Sequence, residues 1–144
     1  AKLILVGEGK LKSDIAKIVN EYRLDKNIVM LGKRADVLKI LPLCKALLLP
    51  SLIEGLPGVV LEAMLSKTIV IANNVGGIGE VVISNQTGFL VEKGDEIEFV
   101  NSMKYSVFKQ STMLIKNAYT LINDNFNNIG KLKSIYVLQF DNCC

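Results

Sequence analysis

Two carboxylates, Glu54 and Glu62, stand eight positions apart in the stretch Ser51-Leu52-Ile53-Glu54-Gly55-Leu56-Pro57-Gly58-Val59-Val60-Leu61-Glu62-Ala63-Met64. A short apolar run, Ala46-Leu47-Leu48-Leu49, precedes them and closes at Pro50, as a buried strand ending in a turn would. Pro57 suits the first turn of a helix, where a missing N–H is no loss, and Val59 to Leu65 carries that helix onward. The pattern is strand, polar loop, helix, with Glu54 in the loop and Glu62 about one turn into the helix. Free N–H groups and the helix dipole make such an N-terminus attractive to phosphate. Gly55 and Gly58 let a ligand approach the backbone. Glu62 shares a helical stripe with Gly58 and Ser66, which is small and polar. A carboxylate there can accept two hydrogen bonds from a vicinal diol such as a ribose, and charge-assisted bonds of this kind contribute about 1.5–3 kcal/mol each. Glu54, at the mouth of the loop, can do the same for a sugar hydroxyl. Two acids facing a phosphate site repel a bare anion, so the fitting ligand has hydroxyls beyond its phosphates. The competing account is that both are solvated surface charges, as most glutamates are.

The flanking chain supplies the elements that would hold these acids. Lys2–Val6 is a near-continuous apolar run, as expected of a parallel strand covered on both faces. After Gly7-Glu8-Gly9, residues Leu11, Ile15, Ile18, Val19 and Tyr22 recur at helical spacing. Asn27–Leu31 reads as a second strand, and Asp36–Cys44 as a short helix disturbed by Pro42. Thr68–Ala72 is a β-branched strand; Gly76-Gly77 opens a loop before a short helix at Ile78–Ile83; Phe89–Val91 is a last short strand. From Asp95 the pattern is helical only, with stripes at Ile97–Phe108, Met113–Ile122 and Phe126–Tyr136. Strands alternating with helices across short loops predict an α/β, Rossmann-like, doubly wound parallel sheet with C-terminal helices. In such sheets ligands bind beyond the carboxyl ends of the strands. The loops there are Gly7–Lys10, Gly32–Asp36, Pro50–Pro57 and Asn73–Glu80, an order that places the first beside the Glu54 loop.

Composition narrows the function classes. The 144 residues, half of them apolar, predict a single globular domain, with residues 137–144 a frayed tail. No apolar run approaches the ~18 residues a membrane span requires. A net charge of +3 from scattered basic residues does not argue for nucleic acid. With no histidine, a Ser-His-Asp triad, a Cys-His dyad and a histidine metal site are all excluded. Three cysteines, Cys44 in an apolar stretch and Cys143 and Cys144 at the end, fit a reducing cytoplasm. The Asn85-Gln86-Thr87 sequon, without a secretory signal, reads as chance. Gly7-Glu8-Gly9 begins a dinucleotide fingerprint, but Lys12 stands where the third glycine belongs and no acid ends the next strand. Lys33 and Arg34 are open to reading as solvated cations, and Gly76-Gly77 as a plain turn or as a place of close ligand approach.

Glu54, seven intervening residues and Glu62, within S-x-x-E-G-x-P-x-x-x-x-E-A-M, resemble the E-x7-E signature of the retaining family 4 glycosyltransferases, which have the GT-B fold. Leu5-Val6-Gly7-Glu8-Gly9, Val29-Met30-Leu31-Gly32, Leu49-Pro50-Ser51, Val75-Gly76-Gly77-Ile78-Gly79-Glu80 and Thr87-Gly88-Phe89-Leu90-Val91 resemble that family's landmarks in its order, over about residues 2–136. The resemblance implies the nucleotide-sugar-binding C-terminal half of a GT-B enzyme that transfers a hexose from a nucleoside diphosphate sugar with retention, in glycan or polysaccharide biosynthesis. By residue match Glu62 would hold the ribose diol and Glu54, the catalytic position, would contact the donor sugar. Gly55, Leu56 and Pro57 would line the sugar and diphosphate site. Gly7, Gly9 and Gly76-Gly77 would pass close to the donor, and the loop at Lys33 and Arg34 would flank the nucleobase with main-chain atoms. The resemblance implies no metal and no cofactor besides the donor substrate. It implies a cytoplasmic enzyme whose full-length form is open to peripheral association with a membrane.

The family's N-terminal, acceptor-binding domain has no counterpart in these residues, and the chain begins at Ala1 on a strand's edge, so an N-terminally truncated fragment is expected, weak in nucleotide binding and without turnover. Two alternatives stand beside this: one half of a nucleotide-sugar epimerase of the same architecture, and a non-catalytic nucleotide-sugar-binding module completed by another chain. An exposed apolar patch on the face bearing the early strands would favour the last.

Overall fold

The computed structural model describes residues 1–109 and 111–125, so the helix expected near Phe126–Tyr136 and the tail at 137–144 lie outside the described residues. The described residues gather into two compact units, Ala1–Asp36 and the chain from Val37 on.

The first unit is β1 (Leu3–Val6), α1 (Lys12–Glu21) and β2 (Ile28–Gly32). The strands pair in parallel, Leu3 with Ile28 through Leu5 with Met30, and the register slips where Val6 meets Gly32. The β1 run is not covered on both faces: Ile4 and its register partner Val29 are 40% and 39% exposed. On α1 only Val19 of the expected apolar stripe is buried, while Leu11, Ile15, Ile18 and Tyr22 stay exposed. A βαβ piece of 36 residues has too little chain to cover both sides of its own strands.

The second unit holds α2 (Val37–Ile40), β3 (Ala46–Leu49), α3 (Gly58–Leu65), β4 (Ile69–Asn73), β5 (Phe89–Val91), α4 (Glu96–Phe108) and α5 (Thr112–Asn125). Its strands run in parallel in the order β3-β4-β5. The expected single ladder is therefore two, one of two strands and one of three, within an α/β, Rossmann-like pattern. β4 is buried from end to end, and its two faces feed separate cores. Val70 and Ala72 join Val59, Val60, Ala63 and Met64 of α3 and Ala118 and Ile122 of α5. Ile69 and Ile71 join Phe89, Val91 and Leu114, with Phe99 and Met103 of α4 packed against them. This is the period-two partition that a central parallel strand imposes on a continuous apolar run.

Pro42 acts as expected: α2 stops at Ile40 and a 3-10 turn covers Leu41–Leu43. The helix expected at Ile78–Ile83 shrinks to a 3-10 turn at Ile78–Glu80. Beyond it the Thr87 hydroxyl donates to the Val81 carbonyl at 2.6 Å and accepts from the Ile83 N–H at 2.8 Å, which takes the backbone partners a longer helix would need. Among the described residues no helix is long and apolar enough to cross a membrane.

Candidate functional site

The site is moulded where the chain leaves two neighbouring strands. Past β3 it runs through Pro50–Pro57, and past β4 through Asn74–Gly77. The Asn73 side-chain amide donates to the Ser51 carbonyl at 3.1 Å, and the Gly77 N–H donates to the Gly55 carbonyl at 2.8 Å. Between these two bonds Gly76, at φ +55°, lies so close that a Cβ there would overlap the Glu54 carbonyl oxygen. Glycine at 76 is thus required twice, by its left-handed backbone and by the absence of room. Leu56 packs against the core of the second unit, so this residue turns its side chain into the protein and leaves backbone at the surface. Glu54, Gly55, Leu56, Gly76 and Gly77 are brought together as expected. Pro57 is not in the first helical turn: it is the residue before it, at φ −71° and ψ 130°, and α3 begins at Gly58 with no side-chain cap. The extended ψ directs the chain out of the loop; in the first turn the Val60 N–H donates to the Pro57 carbonyl at 3.1 Å, and no side chain caps the Gly58 and Val59 N–H groups.

Glu62 departs from the expected polar strip. Gly58 is exposed and Ser66 half-buried, but Glu62 itself is only 7% exposed, inside a helix whose residues Val59–Met64 are all buried. Its Oε1 atom is buried with no hydrogen-bond partner among the described residues. Loss of solvation pushes its carboxyl pKa up to about 7. The account of Glu62 as a solvated surface charge is ruled out. A buried carboxyl oxygen without a partner is costly to keep, and a ligand bringing hydroxyl donors would satisfy it. Glu54 is half-buried, with its main chain rather than its carboxylate held by the contacts just described.

Gly7, Gly9, Lys33 and Arg34 belong to the first unit. There the Gly7 N–H donates to the Gly32 carbonyl at 2.9 Å, which ties the loop after β1 to the turn after β2, and Gly7 takes φ +137°. Gly9 accepts from the Lys12 N–H at 3.2 Å. Lys33 is exposed. The Arg34 guanidinium donates to both oxygens of Asp36, at 2.8 and 2.7 Å, and the pair holds the guanidinium above its ordinary pKa. Its side chain is therefore already engaged.

Sequence reasoning missed Asn73. It lies at the end of β4 rather than in the loop, and it is buried. The available signal was a polar residue directly continuing the apolar run Ile69–Ala72, where burial demands a hydrogen-bond partner.

With this geometry in place, the comparisons with known proteins are specific. Residues 1–107 match the family model described as glycosyl transferases group 1, and the chain belongs to that family. It is 31% identical over 139 residues to the UDP-Gal:alpha-D-GlcNAc-diphosphoundecaprenol alpha-1,3-galactosyltransferase of Escherichia coli, covering 93% of this chain and 36% of that one. It is 31% identical over 138 residues to the capsular polysaccharide biosynthesis glycosyltransferase CapH of Staphylococcus aureus, covering 90% of this chain and 37% of that one. Among solved structures, Anabaena Alr3699/HepE in complex with UDP superposes with a TM-score of 0.80 at 25% identity, over 88% of this chain and 37% of that one. The same protein in complex with UDP-glucose gives a TM-score of 0.78 at 25% identity, over 87% and 36%. The chain spans little more than a third of the length of these relatives.

Proposed function

We propose that this chain is the donor-binding half of a retaining hexosyltransferase that takes a nucleoside diphosphate sugar and serves the assembly of a glycan or polysaccharide. The observation that carries it is the buried, unpartnered Glu62 carboxyl oxygen, set one turn into a helix with an uncapped N-terminus. In this reading Glu62 accepts the two hydroxyls of the ribose, and the first turn of α3 faces the diphosphate. Glu54 contacts the sugar from the loop held by Gly76 and Gly77. Gly7, Gly9 and the main chain at Lys33 and Arg34 keep the donor-side role that the family resemblance gives them. Bond breaking leaves negative charge on the diphosphate, which fixed N–H groups stabilise without reorganisation. Retention and the hexose are carried over from the resemblance of the Glu54–Glu62 motif to the retaining family, and glycan assembly from the galactosyltransferase and capsule relatives. The uridine nucleotide used in the test below follows the UDP and UDP-glucose complexes of HepE. Acceptor binding, and any peripheral membrane contact, belong in this reading to the full-length enzyme. One observation favours the alternative of a module completed by further polypeptide: Ile4, Val29 and Leu31 lie exposed on one face of the β1–β2 pair.

Calorimetric titration with UDP, GDP, ADP and their common sugars, on the parent and on Glu62→Ala, tests the proposal. One diphosphate series is expected to bind, and Glu62→Ala to weaken it about ten- to a hundredfold, the net loss of about one charge-assisted hydrogen bond. Equal heats for parent and variant would remove Glu62 from the site.

A further inference from the structure

We infer that Asn73 is a positioning residue for Glu54, an inference that rests on the donor-site reading above. The segment Leu52–Glu54 is held at its two ends by β4 and its following turn, through Asn73 to Ser51 and through Gly77 to Gly55. The second anchor is a main-chain N–H, which no substitution short of proline removes. The first is a side chain, so the grip on the Glu54 loop depends there on residue type. Because it faces a carbonyl oxygen, the Asn73 amide must present its NH2 group. The residue is 7% exposed, so water cannot readily replace it. Glu62 does not depend on this bond. It sits within α3, whose position is set by packing against β4 and α5. Asn73 should therefore govern the sugar end of the donor and leave the nucleotide end alone.

The change Asn73→Asp keeps the shape, deletes the donor and sets a carboxylate oxygen against the Ser51 carbonyl. UDP-glucose and UDP are titrated separately into the 144-residue parent and the variant. UDP-glucose is expected to bind about five- to tenfold more weakly to the variant, the worth of one buried hydrogen bond, with UDP changed less than about twofold. Hydrogen exchange of the Gly77 amide, which donates to the Gly55 carbonyl, should quicken while the α3 amides keep their protection. Asn73→Ser, whose hydroxyl is too short to span the gap, serves if the aspartate variant does not fold. Equal weakening of both ligands, or a loosened loop with an unchanged UDP-glucose to UDP ratio, overturns the inference. If the parent binds neither ligand, the donor-site reading falls, and the exchange data alone decide whether Asn73 holds the loop.

Discussion

Gly32, which ends the parallel strand β2, and Gly76, in the turn after β4, are both left-handed residues, at φ +67° and +55°. Their surroundings differ completely. A Cβ on Gly32 would meet only the Glu8 carboxylate, at 3.9 Å, whereas one on Gly76 would run into the Glu54 and Gly55 main chain. The same contrast runs through the two units. The first buries one apolar side chain of α1, and the second buries β4 on both faces and nearly all of α3. A glycine in an open turn answers to its own dihedrals; a glycine in a packed one answers to its neighbours as well. Glu54, the carboxylate proposed to contact the sugar, belongs to the packed unit.

The contrast can be broken by substitution. The largest expected difference is between Met64→Ala and Ile18→Ala. Met64 is fully buried against α5 and β4 and should lose about 2–5 kcal/mol, while Ile18, 52% exposed, should lose under ~0.5 kcal/mol. Urea unfolding of both variants checks this, and comparable losses would mean that the α1 face is covered in solution. Next comes the glycine pair. Gly32→Ala should cost about 1–2 kcal/mol, the left-handed penalty alone. Gly76→Ala adds an overpacking cost of about 1–3 kcal/mol and should also weaken UDP-glucose binding. Equal costs would show that the Glu54 loop yields freely.

A third comparison concerns Glu62, whose folded pKa of about 7 lies above the ordinary value of 4.5. The folded state then holds the proton more tightly than the unfolded chain. The stabilising contribution is fully present below about pH 4.5, falls as pH rises toward 7, and is gone above it. The shift bounds the change at ~3 kcal/mol. Denaturation midpoints of the parent should fall across that window, and Glu62→Gln should flatten the fall. A parent profile no steeper than that of the variant would mean that Glu62 is solvated after all.

Much of this was legible in the residues. The alternation of apolar runs with 3.6-period stripes placed all five strands within a residue or so, because strand and helix periods are local properties of a chain. The loop position of Glu54 and the helical position of Glu62 were legible for the same reason. The shortened helix after Gly77 was not legible, since Thr87, several residues on, captures the Val81 carbonyl and the Ile83 N–H.

The sequence by itself determined the order of elements, the glycine-lined loops and the type of chemistry two such acids can perform. Tertiary structure alone decided that Glu62 is buried with its Oε1 left without a partner among the described residues, that Arg34 is already spoken for by Asp36, and that Asn73 reaches across to Ser51. Solvation and hydrogen bonding depend on what other segments bring to within a few ångströms, and no spacing along one segment encodes that.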